Sequence, residues 1–342
     1  MNIVRVALAV PLPRFFDYLY PTDLTPIVGG RVLVPFGSQK RVGIVVDLPA
    51  SSDVAKEKLK PIIDVLDSES LFNSTTWDWL AWSANYYRAA LGDVLFQALP
   101  VKLRNGESSV KNDRTFWRIT DLGKQALESG ELKRAKKQIE ALNLLLTQDL
   151  EKGNNEISSA IWSALKGKDY VEEIIVPTEQ KSWQQALGDN PLVNLDNRLT
   201  LNKQQALAFS QLLFQEGFNV WLLEGVTGSG KTEIYLQYIE EVLKKGKQVL
   251  VLVPEIGLTP QTVRRFQARF NVEIDVLHSN LNDTQRLNVW ERARTGQSAI
   301  VIGTRSALFT QFSDLGLIIL DEEHDGSFKQ QDGWRYHARD LG

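Results

Sequence analysis

Gly225-Val226-Thr227-Gly228-Ser229-Gly230-Lys231-Thr232 constrains the fold of this chain more than any other stretch. Its glycines allow a loop tight enough for backbone N–H groups to close around phosphate oxygens, and the pattern works only between a strand and a helix. The sequence offers both, with the apolar run Trp221-Leu222-Leu223 ahead of the loop and a helically periodic segment, 231–243, behind it. In that setting Lys231 neutralises charge on the β- and γ-phosphates and the Thr232 hydroxyl coordinates Mg²⁺. Gly225, Thr227, Gly228, Ser229 and Gly230 are expected to line the nucleotide, which is read as ATP. A chance glycine-rich turn would not bring the apolar run, the helix and the Lys-Thr pair together.

The segments that follow alternate regularly. Strand 220–223, helix 231–243, strand 248–253, helix 261–270, strand 274–277, helix 284–294, strand 299–302 and strand 317–320 read as a parallel α/β sheet. Leu317-Ile318-Ile319-Leu320 would bury the last strand and deliver carboxylates at its C-terminal end, the edge where open α/β sheets meet ligands. There Asp321 is the expected Mg²⁺ ligand, and Glu322 the group that orients or deprotonates the attacking water. Read alone, Asp321-Glu322-Glu323-His324 would be a solvated charge run. Its place 90 residues after Lys231 in one α/β domain favours the catalytic reading.

At this point the residues resemble a known family. Asp321-Glu322-Glu323-His324 has the motif II spelling of superfamily 2 helicases, and the segment is similar to that of the primosomal protein N′ (PriA) family. Val253-Pro254-Glu255-Ile256-Gly257-Leu258-Thr259-Pro260-Gln261 resembles the family's motif Ia, and Ile302-Gly303-Thr304-Arg305-Ser306-Ala307-Leu308-Phe309 its motif Ib. The resemblance implies a RecA-like first helicase lobe. It also implies an adenine-recognising glutamine ahead of the loop, assigned to Gln205 rather than Gln204, and phosphate contacts from Thr304 and Arg305. Ser327–Arg339 interleaves aromatics with cations and resembles the family's aromatic-rich loop, so Lys329, Trp334, Arg335 and Tyr336 are expected to touch single-stranded DNA. The plainer alternative is a Trp and a Tyr packed beneath a surface loop.

The amino-terminal hundred residues read as short strands, 3–10, 15–19, 31–35 and 42–46, arranged as a small barrel. The last two would be joined by a loop over 36–41. Trp77, Leu80, Trp82 and Tyr86 would then form one helical face closing the barrel. On residues alone, Phe16 and Tyr18 are strand core and Asp17 a turn residue. Pro11-Leu12-Pro13-Arg14-Phe15-Phe16-Asp17-Tyr18 and Val34-Pro35-Phe36-Gly37 resemble the family's domain for a nascent 3′ end. That resemblance carries a DNA-binding role onto Phe16, Asp17, Gly37 and Lys60. A carboxylate would accept from a 3′-hydroxyl, a ring would stack on the last base, and Gly37 would let the backbone come close.

Composition sets the remaining bounds. At 342 residues the chain is expected to form more than one domain. We read them as a 3′-end and fork DNA-binding domain at 1–105, a winged helix at 106–180, a linker at 181–197 and helicase lobe 1 at 198–342. The winged helix is expected from helices 132–150 and 155–165 and a hairpin begun by strand 170–176, with a basic stretch at Lys133-Arg134-Ala135-Lys136-Lys137. A net charge of −3 gives no global attraction to nucleic acid, so DNA contacts must come from local patches. The chain contains no cysteine, which excludes disulfides and thiolate zinc sites within it. No apolar run reaches membrane-spanning length and no secretory signal is visible, so a cytoplasmic, nucleoid-associated protein with no membrane contact is expected.

The resemblance further implies a 3′-to-5′ ATP-dependent DNA helicase that recognises stalled or abandoned forks and starts primosome assembly. Forked DNA with a nascent 3′ end, single-stranded DNA, primosome proteins and single-strand binding protein are the implied partners. The family's pattern runs on past this sequence, through a second motor lobe and a zinc module. The chain is therefore expected to be an amino-terminal fragment that unwinds nothing alone, with zinc confined to the missing part. The rival readings are a generic superfamily 2 translocase and a non-catalytic module that binds DNA structures.

Overall fold

The structure is a computed structural model of residues 1–342 that describes all but 11, 109–113, 130–131, 133–134, 153–156, 177–179, 214–216 and 227, with the side chains of 114 and 175 also outside the description. Two compact units result: Met1–Ser109 with Lys181–Gly342, and Val110–Gln180.

The first unit begins with strands β1 (Asn2–Leu8), β2 (Phe16–Tyr20), β3 (Arg31–Phe36), β4 (Gln39–Asp47) and β5 (Asp64–Val65), in the order β2-β1-β4-β3-β5. Alternation along them sends Val4, Val6, Leu8, Tyr18, Val32, Val34 and Val45 into one core. The sheet closes on itself because the segment carrying β5 also reaches the far edge. The Leu19 N–H donates to the Lys60 carbonyl, the Ile62 N–H donates to the Leu19 carbonyl, and Val65 pairs with Val32. The expected barrel is therefore present. The connection over 36–41 is tighter than the sequence reading: Phe36 pairs with Gln39, leaving Gly37 and Ser38 as the turn, and Gly37 takes a positive φ of 61°.

Helices α1 (Ser74–Tyr86), α2 (Leu91–Gln97) and α3 (Val101–Arg104) follow. The Asn73 side chain accepts from the Thr76 N–H and so starts α1. The expected single face over residues 77–86 is corrected. Leu80 and Ala84 are buried, whereas Trp82 and Tyr86 are 47% and 58% exposed. Positions 82 and 86 share one helical stripe, 77, 80 and 84 share another, and only the second meets the core. On α2, a Cβ at Gly92 would stand 2.0 Å from the Leu8 carbonyl oxygen, so this helix seats on β1 only with glycine there.

The second unit contains β6 (Arg114–Ile119), α4 (Asp121–Glu128), α5 (Lys136–Thr147), β7 (Leu150–Glu151), α6 (Ser159–Lys166) and β8 (Val171–Val176). Trp117 and Trp162 stack at 5.3 Å in its core, with Leu142 and Leu165 fully buried. The hairpin expected after α6 is instead a long-range pair: β8 pairs antiparallel with β6, a strand the sequence reading did not find. Lys133 and Arg134 of the basic stretch lie outside the described residues.

The chain returns to the first unit with α7 (Trp183–Leu187), α8 (Lys203–Leu213), α9 (Lys231–Lys244), β9 (Gln248–Leu252), α10 (Pro260–Arg269), β10 (Ile274–Leu277), α11 (Asp283–Arg294), β11 (Ile300–Gly303), β12 (Leu315–Leu320) and α12 (Ala338–Leu341). The four strands are parallel, in the order β10-β11-β9-β12. Strand β9 is buried at every residue, as the middle of a sheet covered on both faces requires.

One expected strand is absent. Residues 220–223 pair with no strand among those described, and Phe218, Val220 and Leu222 are 86%, 82% and 75% exposed. An apolar run becomes a strand only when an edge accepts it. Among the described residues β12, which ends the four-stranded order, pairs with β9 alone.

Candidate nucleotide and nucleic-acid sites

The glycine-rich loop before α9 leads into it through Gly230, whose φ of 85° is left-handed, and Gly228 has a φ of 81°. Gly230 is also held by space, since a Cβ there would stand 2.3 Å from Gln205 Nε2. The Lys231 ammonium donates across the loop to the Gly225 carbonyl. Ser229 Oγ is buried with no hydrogen-bond partner. Thr227 lies outside the described residues.

Gln205 reaches the loop, and Gln204 is exposed. Gln205 Nε2 donates to the Ser229 carbonyl at 2.9 Å. Its Oε1 accepts from the Asn202 N–H while Asn202 Oδ1 accepts from the Gln205 N–H, a reciprocal cap at the start of α8. In this arrangement Gln205 braces the loop.

Asp321, at the end of β12, meets the first turn of α9 through Tyr235, which the sequence reading missed. The Tyr235 hydroxyl donates to Asp321 Oδ2 at 3.2 Å and is hydrogen-bonded to the Thr232 side chain. Burial, and then the negative charge of Asp321, push this phenol far above its ordinary value, so it stays protonated. The signal was the spacing: Tyr235 lies one helical turn beyond Thr232, on the same face. Glu322 sits in a left-handed backbone conformation, φ 51°, which is costly for a residue with a side chain. Its carboxylate is 3.7 Å from His324 Nε2.

An orphaned hydroxyl at Ser229, two left-handed glycines and the Thr232-Tyr235-Asp321 cluster fit the phosphates of a nucleotide and its Mg²⁺. Lys231, Thr232 and Asp321 are the residues that would hold them.

Motif Ib and the loop after motif II form one packed body. Arg305 Nη1 donates to the Ser327 and Lys329 carbonyls at 2.9 and 2.7 Å. Trp334 and Tyr336 were expected to offer stacking faces, but they are 8% and 1% exposed. They pack on each other at 4.8 Å and on Phe309 at 5.5 and 5.0 Å. Burial pushes the Tyr336 hydroxyl up to about 12. The plainer alternative describes this conformation: large rings next to Phe309 gain more from burial than from exposure. Lys329 and Arg335 remain exposed. Thr304 lines a separate cavity of about 540 Å³ with Glu255, Thr259, Arg264 and His278, at the carboxyl ends of β9, β10 and β11.

At the amino-terminal barrel, Phe16, Asp17, Gly37 and Lys60 line a single cavity of about 550 Å³. Strand pairing builds it. Arg5 and Asp17 are directly opposite on β1 and β2, and Arg5 Nε and Nη2 donate to Asp17 Oδ1 and Oδ2 at 2.8 and 3.0 Å. Ser52 Oγ adds a bond to Oδ2 at 2.6 Å. The Arg5 hydrogen bond, reinforced by that of Ser52 and opposed by burial, holds the Asp17 carboxyl below the usual carboxylate range. Phe16 meets Phe36 edge-on at 5.2 Å, with Arg14 over the first ring and Arg41 over the second. Arg5, Ser52, Arg14 and Arg41 were not singled out from sequence.

Residues 5–100 match the family described as the PriA 3′ DNA-binding domain, and residues 202–342 match the DEAD/DEAH box helicase family. The chain is 76% identical over 341 residues to the replication restart protein PriA of Haemophilus influenzae, a match covering 100% of this chain and 47% of that protein. It is 36% identical to the PriA of Buchnera aphidicola from Acyrthosiphon pisum, with 100% and 46% covered, and 29% identical to that of Bacillus subtilis, with 100% and 51% covered. The chain thus spans about half the length of the curated relatives it matches. With a 3′ DNA-binding domain followed by a helicase domain, it belongs to the PriA family of replication restart proteins, of which it covers the amino-terminal half.

Proposed function

We propose that this chain is the fork-reading and ATP-binding half of a 3′-to-5′ DNA helicase that recognises stalled forks and starts primosome assembly. The observation that carries the reading is the cavity in which Phe16, Asp17, Gly37 and Lys60 converge, in the same compact unit as Lys231 and Asp321. Asp17 accepts from a nascent 3′-hydroxyl, Phe16 stacks on the last base, Lys60 neutralises a phosphate, and Gly37 lets the strand approach. Lys231 and the loop amides grip the nucleotide phosphates, and Thr232 and Asp321 would hold a Mg²⁺ that, when bound, would neutralise charge at the γ-phosphate. Glu322 positions water, Gln205 offers the adenine the amide hydrogen and carbonyl lone pair that its bracing bonds leave over, and Thr304, Arg305, Lys329 and Arg335 contact the translocating strand.

The protein works in the cytoplasm on forked and single-stranded DNA, with primosome proteins and single-strand binding protein as partners. Zinc belongs to the other half, and this half alone separates no strands. A platform role without catalysis draws support from the unpaired, exposed 220–223 segment. Fluorescence anisotropy on matched forks ending in a 3′-hydroxyl or a 3′-phosphate, with Asp17→Ala alongside, tests the end-reading. A hydroxyl preference lost in Asp17→Ala supports it, and equal binding of both ends by the unaltered chain refutes it.

A further inference from the structure

An ionised carboxylate has two oxygens with about two acceptor positions each. At Asp17, Arg5 Nε occupies one position on Oδ1, while Arg5 Nη2 and Ser52 Oγ occupy both on Oδ2. One position, on Oδ1, is left. The side chain is only 9% exposed, so nothing but a group entering the cavity reaches it readily. Both donors are fixed by the fold. Arg5 stands opposite Asp17 in the β1–β2 register, and Ser52 comes from the loop after β4, whose next residues Asp53 and Val54 line the same cavity.

We propose that Arg5 and Ser52 are the residues that set the selectivity of this pocket: by saturating three of the four acceptor positions of Asp17, they make it a reader of one hydroxyl donor at the end of a strand. The inference rests on the 3′-end reading above and assigns its positioning residues. Arg5 has a second effect. It cancels the charge of Asp17, so the acceptor position is selective by geometry more than by repulsion of anions. The other charged groups about it are Asp47, 3.9 Å from Arg5, and Asp53, Arg14, Lys58 and Lys60 on the cavity wall.

The test uses this chain and three matched forks whose nascent strand ends in a 3′-hydroxyl, a 3′-hydrogen or a 3′-phosphate, read by anisotropy from about pH 8 to pH 5, a window above the ordinary carboxylate range. The unaltered chain should prefer hydroxyl over hydrogen by about 10-fold, the scale of a hydrogen bond to a charged group, and hold that ratio across the window. In Arg5→Gln the ratio should fall below about 3-fold, since the carboxylate is no longer oriented, and decay further toward pH 5, since burial then raises the Asp17 pKa unopposed by Arg5. The phosphate end should also lose ground and bind more weakly than the hydrogen end at pH 8, because the charge of Asp17 is no longer cancelled. Ser52→Ala, a milder change, should lose about 2- to 3-fold of the hydroxyl preference. Unchanged ratios and pH profiles in both variants overturn the proposal while leaving the end-reading intact. Equal binding of all three ends by a folded Arg5→Gln chain also overturns it, because that marks a collapsed pocket and not a reoriented acceptor. No hydroxyl preference in the unaltered chain removes both readings together.

Discussion

The two sites differ in how much of them is already assembled. The amino-terminal pocket is complete: Arg5 and Asp17 face each other across paired strands, Phe16 abuts Phe36, and Gly37 turns between β3 and β4. The candidate nucleotide site is assembled from Gly228 onward. Its glycines, Lys231 and the Tyr235-Asp321 contact are in place, but the segment leading in at 218–226 pairs with no strand among the described residues. The difference follows from sequence separation. The pocket's two-strand walls come from neighbouring antiparallel strands, whereas a strand in a parallel sheet depends on partners far along the chain. The walls of the amino-terminal pocket therefore do not depend on the 218–226 segment.

Four outcomes would break or sharpen this contrast. Lys231→Ala should weaken Mg²⁺-ATP binding by about 100-fold, the scale of lost charge-assisted phosphate contacts, while hydroxyl-ended forks bind within about 2-fold of the unaltered chain. Calorimetry and anisotropy on the same preparation decide it. A parallel loss of fork binding would mean that the two sites are not separable.

Asp17→Ala should remove about 10-fold of the preference for a 3′-hydroxyl and leave nucleotide affinity unchanged, checked by the same pair of titrations. Tyr235→Phe should cost about 5-fold in Mg²⁺-ATP affinity, one hydrogen bond's worth, with no effect on forks.

The smallest effect concerns acid. Asp17 has its pKa lowered in the fold, so its stabilisation is present above the unfolded carboxylate value and is lost as pH falls through the folded one. Thermal unfolding should thus show an acid-labile component below about pH 4 that Asp17→Asn lacks. Identical profiles for the two would mean that Arg5 and Ser52 contribute no linkage.

The sequence revealed elements more readily than neighbours. The helix after the phosphate loop and the strand ending in Asp321 were legible because each carries its own period and apolar run. Barrel closure was legible in outline, although the Gly37-Ser38 turn was read as a longer loop because Lys40 and Arg41 look like loop residues and are in fact paired in β4. Trp82 and Tyr86 were misplaced because aromatic character suggests burial, whereas their stripe on α1 is exposed. Trp334 and Tyr336 went the other way, since nothing local announces that Phe309 will be beside them. Strand β6 escaped because its partner β8 lies more than fifty residues on. At the sites, the residues that hold a functional group were harder to see than the group itself. Arg5, Ser52 and Tyr235 reach Asp17 and Asp321 through strand pairing, a loop and a helix face.

Amide hydrogen exchange on this chain, alone, with a hydroxyl-ended fork and with Mg²⁺-ATP, tests the central contrast most directly. The account predicts that amides of β1 and β4 are protected from the outset and that those of 218–226 exchange freely. Fork binding should add protection around Phe16, Gly37 and Lys60 only, and nucleotide around 225–232 only. Protection of 218–226 equal to that of β9 in the free chain, or fork binding that leaves Phe16, Gly37 and Lys60 unchanged, would contradict it.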